Sequence, residues 1–240
     1  MKILAGTSGY AFKEWKGPFY PEDLKDAGML AYYSSKFPTV EINNTFYQLP
    51  KEKVLLDWAS QVPEQFSFAI KASRRITHFA RLKPESAELV EYVVRATALL
   101  AERVGPILFQ LPPNLKKDMD LLRGFLDRLP EGRRYAMEFR HASWFDDDTV
   151  FGALREHNVA LVTIEQEEFS SPMHATATWG YVRLHRLNYD EAGIAEWAKR
   201  IEASGWKEAY VYFKHDLAPD VGSGPLAVES FVRASGSTRD

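Results

Sequence analysis

Residues able to do chemistry recur at every second position in three short stretches: Glu41-Ile42-Asn43, Glu138-Phe139-Arg140 and Arg183-Leu184-His185. Lys71, Gln110 and Lys214 stand at the ends of three other apolar runs. A period of two is that of a β-strand, which sends alternate side chains to opposite faces. A carboxylate and an imidazole in one cleft can divide acid and base roles, so Glu138 and His185 are the proton-transfer candidates. Arg183, Arg140 and Lys71 suit an anionic group, the guanidinium bidentately. Asn43, Tyr47 and Gln110 can orient hydroxyls. Glu41, His78, Trp144 and Lys214 complete the candidate binding set.

The elements that must position these residues follow from the apolar runs. Strand-length runs cover 3–6, 40–43, 66–71, 107–111, 135–139, 160–164, 181–184 and 209–213. Helical patterns lie between them at 22–36, 51–61, 85–103, 118–129, 146–157 and 191–203. Eight strands, each about 30 residues from the next, is the layout of a single α/β domain of the (β/α)8 TIM-barrel type over 1–240. The stretch 165–180 has Ser-Ser-Pro and β-branched residues in place of helical periodicity, so the sixth helix is expected to be reduced or missing. A doubly wound open sheet is the competing fold. No linker-like composition divides the chain, and the polar residues 234–240 are expected to fray.

Parity sorts the faces. Met137 and Phe139 point to the helices, which leaves Glu138 and Arg140 inward; Val182 and Leu184 leave Arg183 and His185 inward; Val211 and Phe213 leave Tyr210, Tyr212 and Lys214 inward. Glu41 and Asn43, Ser67, Ala69 and Lys71, and Leu108 and Gln110 are inward by the same test, with Thr163 and Glu165 the inward candidates of the sixth strand. The polar inward residues lie at or near C-terminal strand ends, where barrel active sites are built. The set has two carboxylates against Lys71, Arg140, Arg183 and Lys214, a positive mouth in a chain of net charge −3. Structural pairing of Glu41 with Lys71 and of Glu138 with Arg183 is the plain alternative; an anionic ligand would supply the charge that such pairing leaves over.

Other chemistries are narrowed by what the residues lack. The balance of 30 basic and 33 acidic side chains argues against nucleic-acid packaging or membrane-surface binding. There is no cysteine, hence no disulfide, thiolate nucleophile or thiolate-held metal. The N-terminal residues build no apolar signal segment, and no stretch approaches about 18 consecutive apolar residues, so a soluble, cytoplasmic protein is expected. Gly6-Thr7-Ser8-Gly9 has neither P-loop nor dinucleotide nor Gly-x-Ser-x-Gly spacing; it reads as a turn, with Thr7 or Ser8 able to offer a hydroxyl. His185 and His215 with Glu41, Glu138 or Asp216 are residue types for a divalent metal, but Lys71, Arg140 and Arg183 would repel a cation, and no cofactor is expected.

Further motifs carry a family resemblance. Gly6-Thr7-Ser8-Gly9-Tyr10, Trp15-Lys16-Gly17-Pro18-Phe19-Tyr20-Pro21 and Val40-Glu41-Ile42-Asn43-Asn44-Thr45-Phe46-Tyr47 resemble the YecE-like family, also called domain of unknown function 72. The likeness continues through Phe68 to Ala72 with Ile76-Thr77-His78, Gln110 to Pro113, Glu138 to His141 with Ser143-Trp144, and Tyr181 to His185. It implies a (β/α)8 barrel and no particular activity. Arg186 stands where the family usually has Gly, and Phe213-Lys214-His215-Asp216 departs from its usual eighth-strand ending.

The residues therefore point to an enzyme acting on a small polar anion, such as a sugar phosphate, nucleotide or carboxylate, by acid–base isomerisation or hydrolysis. A phosphate or sulfate group is the expected ligand chemistry. His78 and His141 share the rim with His185 as further proton carriers. The rival reading is a non-catalytic protein binding nucleotides or single-stranded nucleic acid, with Tyr10, Trp15, Phe46, Tyr47, Trp144 or Phe145 stacking on rings. Trp58 and Trp197 sit in helical patterns and read as core.

Overall fold

A computed structural model describes residues 1–214 and 223–236. Its strands are β1 (Lys2–Thr7), β2 (Thr39–Ile42), β3 (Ser67–Lys71), β4 (Val104–Gln110), β5 (Tyr135–Glu138), β6 (Ala160–Glu165), β7 (Trp179–Leu184) and β8 (Glu208–Phe213). They run in parallel in the order β1-β8-β7-β6-β5-β4-β3-β2. A bridge between Ser8 and Glu41 brings the two end strands together, so the sheet is a nearly closed barrel. Around it lie α1 (Met29–Lys36), α2 (Glu52–Gln61), α3 (Ala87–Thr97), α4 (Met119–Leu126), α5 (Thr149–Glu156), α6 (Glu191–Glu202) and α7 (Gly224–Ala234). No described helix is long and apolar enough to cross a membrane.

Local signals set several boundaries. The Asp118 carboxylate accepts from the Leu121 N–H at 2.9 Å and caps α4; Asp190 caps α6 through Gly193 at 2.8 Å. The pattern at 22–36 yields a helix only from Met29, after a single 3-10 turn at Asp26–Gly28. The pattern at 85–103 is broken into α3 and a 3-10 segment in which Ala101 takes φ 53°.

The alternation read for β2 to β8 holds on six of those seven strands, and β1 alternates likewise. Leu4, Ala69, Leu108, Ala136, Tyr181, Tyr210 and Tyr212 fill the barrel interior. Val40, Phe68, Val182 and Val211 pack outward with one set of helices, and Ile107, Phe109, Met137 and Phe139 with the other. β6 has the opposite facing: Val162 and Ile164 belong to the interior, and Leu161 packs outward. Thr163 and Glu165 are thus outer residues, and Glu165 accepts from Trp197 Nε1 of α6 at 2.9 Å.

The reason lies in the connection from β6 to β7, which contains no helix, as the sequence led us to expect. Polarity sorts strand faces only where an apolar helix covers one of them. Here the segment 166–178 lies along β6 and uses hydroxyls to satisfy its backbone: Ser171 Oγ accepts from Ile164 N at 2.9 Å, and Thr176 Oγ1 from Leu161 N at 2.7 Å. The β5–β6 ladder accordingly has only the pairs Ala136–Ala160 and Met137–Leu161.

The β1–β2 seam is held by a side chain. The Tyr33 hydroxyl, reaching in from α1, accepts from Thr7 N at 2.8 Å and donates to Thr39 O at 3.1 Å. Gly6 permits this approach, since a Cβ there would lie 2.1 Å from Thr39 O.

Candidate active site

Arg183, on β7, is 3% exposed and reaches across the mouth between two fully buried carboxylates. Its Nη2 donates to Glu41 Oε1 at 2.9 Å and its Nη1 to Glu138 Oε2 at 2.6 Å. Glu41 also accepts from Ser8 Oγ at 2.6 Å, Asn43 Nδ2 at 2.9 Å and, on Oε2, Tyr181 Oη at 2.7 Å. Glu138 accepts from Gln110 Nε2 at 2.8 Å and from Arg140 Nε. Burial alone would raise both carboxyl pKa values, but Arg183 and the donors outweigh it and hold each at about 2. Both are therefore anions, and every one of their oxygens accepts at least one hydrogen bond.

Of the two pairings read from the sequence, Glu138–Arg183 forms, and Glu41 goes to Arg183 in place of Lys71. The geometry favours this because the guanidinium spans the mouth with a separate Nη donor for each carboxylate, which one ammonium cannot do.

His185 is buried, with Nε2 2.9 Å from Ser8 Oγ. The Ser8 hydroxyl has one proton, and it is committed to the anion Glu41. Ser8 must then accept from His185, which assigns the imidazole proton to Nε2 and leaves Nδ1 as an acceptor. Burial and the charge of Arg183 press the His185 pKa well below its ordinary value, so the ring is neutral. Gly6-Thr7-Ser8-Gly9 is the turn read from it, with Gly9 at φ 100° and its N–H on Glu41 O at 2.8 Å, and the Ser8 hydroxyl goes to Glu41 and His185.

Lys71, at the end of β3, is half-buried, with Nζ 4.4 Å from the centre of the Phe46 ring. Burial first, then Arg183, lowers its pKa to about 8. Half-buried Arg140 extends Nη1 to Gln166 Oε1 at 2.6 Å. Asn43 keeps Oδ1 buried and without a partner among the described residues. Lys214 follows β8, half-buried, with its N–H on Leu184 O.

Other candidates lie further out or elsewhere. His78 stands edge-on to Phe46 at 5.0 Å, and burial and Lys71 lower its pKa. Tyr47 is 68% exposed on the outer rim, under the Arg74 guanidinium. Trp144 does not reach the mouth: the 3-10 turn Ala142–Phe145 folds it into the outer core, stacked on Phe139 at 4.5 Å with Nε1 on Leu115 O. Trp15 is likewise buried, and His141 caps that same 3-10 turn through Ser143 N at 3.1 Å. His215 and Asp216, named as possible metal ligands, lie outside the described residues. Among the described residues no three His, Asp or Glu side chains are grouped to hold a metal.

Tyr181 and Gln166 were not anticipated. Tyr181 shares inward parity with Arg183 and His185, and that signal was in reach; Gln166 sits on an irregular segment with no periodicity to place it. A cavity of about 540 Å3 opens at the opposite, N-terminal end of the barrel, lined by Lys2, Glu64, Gln65, Arg134, Glu208 and Tyr210 among others. None of the mouth network reaches it.

Residues 4–238 match the family model described as protein of unknown function DUF72. The UPF0759 protein YecE of Escherichia coli (strain K12) is 33% identical over 151 residues, which are 61% of this chain and 54% of that protein. UPF0759 protein YunF of Bacillus subtilis (strain 168) is 31% identical over 151 residues, 60% of this chain and 52% of that one. These matches span about half the length of the curated relatives. A crystal structure of a DUF72 family protein from Thermotoga maritima superposes with a TM-score of 0.83 at 26% identity, covering 97% of this chain and 98% of that one. With the barrel and the motifs of its mouth in agreement, the chain belongs to the DUF72 family.

Proposed function

We propose that the barrel mouth is the active site of an enzyme acting on a small polar anion by proton transfer, with His185 as the group that moves the proton. The observation that carries this reading is the buried chain Glu41–Ser8–His185, which fixes one tautomer and leaves a neutral acceptor at Nδ1. An imidazolium formed at His185 would be stabilised through Ser8 by the Glu41 anion. Glu138 is the weaker acid–base candidate, because its oxygens are taken up by Gln110, Arg140 and Arg183. Its part is to hold those cations.

The anionic group belongs with Lys71 and Arg140, since Arg183 has both Nη atoms on carboxylates. Two carboxylates against Lys71, Arg140 and Arg183 leave one positive charge over. An anion bound there would cancel charges that hold the His185 pKa down, and so make the imidazole a better base on substrate binding. Asn43 Oδ1 offers an acceptor to a substrate hydroxyl. The test is calorimetric titration with inorganic phosphate and sugar phosphates at low ionic strength. Saturable binding, weakened by Arg140→Gln, is the expected result; absence of binding to the folded protein sinks the reading. With a turned-over substrate, His185→Gln should bind it and lose about 100-fold or more in kcat.

A second reading is favoured by one surface. Arg74 lies 5.3 Å from the ring centres of both Tyr47 and Phe79, two exposed aromatics beside the mouth. That arrangement suits a single-stranded nucleic acid, whose binding would weaken steeply with salt and grow with oligomer length. A compact site would saturate with a mononucleotide.

A further inference from the structure

Lys71 stands apart among the cations of the mouth. Arg183 is bound by Glu41 and Glu138, and Arg140 by Glu138, whereas no carboxylate among the described residues forms an ion pair with Lys71. The groups that face it come from every side: Glu41 from β2, Glu138 and Arg140 from the end of β5, Arg183 from β7, and His78 from its own following loop. Every oxygen of the two carboxylates already accepts from another donor, and they attract Lys71 without bonding it. Its ammonium rests on the face of Phe46. Burial and Arg183 leave about a tenth of it as free amine at pH 7, far more than an exposed lysine carries. A desolvated amine beside fixed cations is the environment that makes a lysine nucleophilic.

We propose that Lys71 is the nucleophile of this site, and that the substrate is a small polar aldehyde or ketone with which its amine condenses. This rests on the reading of the mouth as an active site and narrows its substrate to carbonyl compounds. The Nζ lone pair forms a C–N bond to the carbonyl carbon as the C=O π pair moves to oxygen. A proton passes from nitrogen to that oxygen, giving a carbinolamine. One further proton from solvent turns its hydroxyl into leaving water, and the nitrogen lone pair closes the C=N bond. Nothing is oxidised or reduced. The resulting iminium withdraws electrons from the adjacent carbon, whose proton is the one for the neutral acceptor at His185 to take. The anionic part of the substrate then falls to Arg140.

Two measurements on the full chain test this. In the first, the protein is incubated with pyruvate and sodium cyanoborohydride, and the reduced adduct is located by peptide mass spectrometry. Lys71 should be labelled roughly tenfold or more faster than any surface lysine, as its larger free-amine fraction requires. Lys71→Arg should remain folded and lose only that adduct. Labelling of Lys71 at or below the surface rate overturns the proposal. In the second, trace acetylation with acetic anhydride across pH reads the amine without any recognition of substrate. A midpoint near 8 supports the nucleophile, and one above 10 overturns it. If phosphate binds the mouth while Lys71 fails both measurements, the active-site reading stands and only the carbonyl chemistry falls.

Discussion

At the C-terminal end of the barrel Arg183 is 3% exposed between Glu41 and Glu138; at the N-terminal end Arg134 faces Glu208 with 46% of its side chain in solvent. Arg134 also donates to Tyr210 Oη at 3.1 Å and lies over the Trp179 ring at 5.7 Å. The same two residue types thus close both ends of one barrel. At the lower end the pair lines an open cavity, where water can replace the exposed Arg134 as a partner. At the upper end every oxygen of two carboxylates and both Nη atoms of one guanidinium are committed inside protein. Burying charges costs several kcal/mol each unless geometry is well matched, so this arrangement fixes side chains to within a hydrogen bond. Charge at a barrel end is therefore no sign of a site until burial is known.

The largest effect that would separate the two ends is Arg183→Met. It should lose about 3–5 kcal/mol in urea unfolding, because it strands two buried anions. A loss below about 1 kcal/mol would make the upper pair no different from an exposed one. Acid comes next. Glu41 and Glu138 are held at about 2, below their unfolded values, so their contribution is complete above about 4.5 and is lost as pH falls toward 2. Unfolding curves between pH 5 and 2 should lose a few kcal/mol, and Glu138→Gln should flatten that slope while Arg134→Ala leaves it steep.

Lys71 gives the opposite sign. Its folded pKa of about 8 lies below that of a free lysine, so the native state disfavours the proton and the penalty is full below pH 8. Lys71→Met should stabilise by about 2 kcal/mol at pH 7, with wild type catching up as pH rises toward about 10. A destabilised Lys71→Met at pH 7 would mean that the ammonium is a structural partner after all. The smallest expected effect is Arg134→Ala, a loss under about 1 kcal/mol that shrinks in salt.

Most of the barrel and the inward placement of Glu41, Glu138, Arg183 and His185 were legible because an apolar helix covers the other face of each strand and makes polarity a compass. β6 was misread because no helix of its own follows it: Thr163 and Glu165 are outer residues although they are polar, and Glu165 meets Trp197 of α6. Trp144 was misassigned because an aromatic in a rim loop looks alike whether the loop turns it out or in. The choice of Glu41 for Arg183 over Lys71 depends on reach across the barrel diameter, which no local pattern encodes.

The seam held by Tyr33 has a consequence for the order in which the barrel can be made. β1 is registered with β8 along all six of its residues, from Lys2–Glu208 to Thr7–Phe213, while its link to β2 is a bridge and one hydroxyl. The partner that aligns β1 is about 200 residues downstream, which at ribosomal speed is roughly 10–40 s of synthesis. During that interval the nascent chain carries Ser8 but cannot yet bring Arg183 or His185 beside it, and Glu41 has no counter-ion. Completion of the mouth is thus tied to barrel closure, and a truncated chain lacking β8 would leave β1 and β7 with open sheet edges.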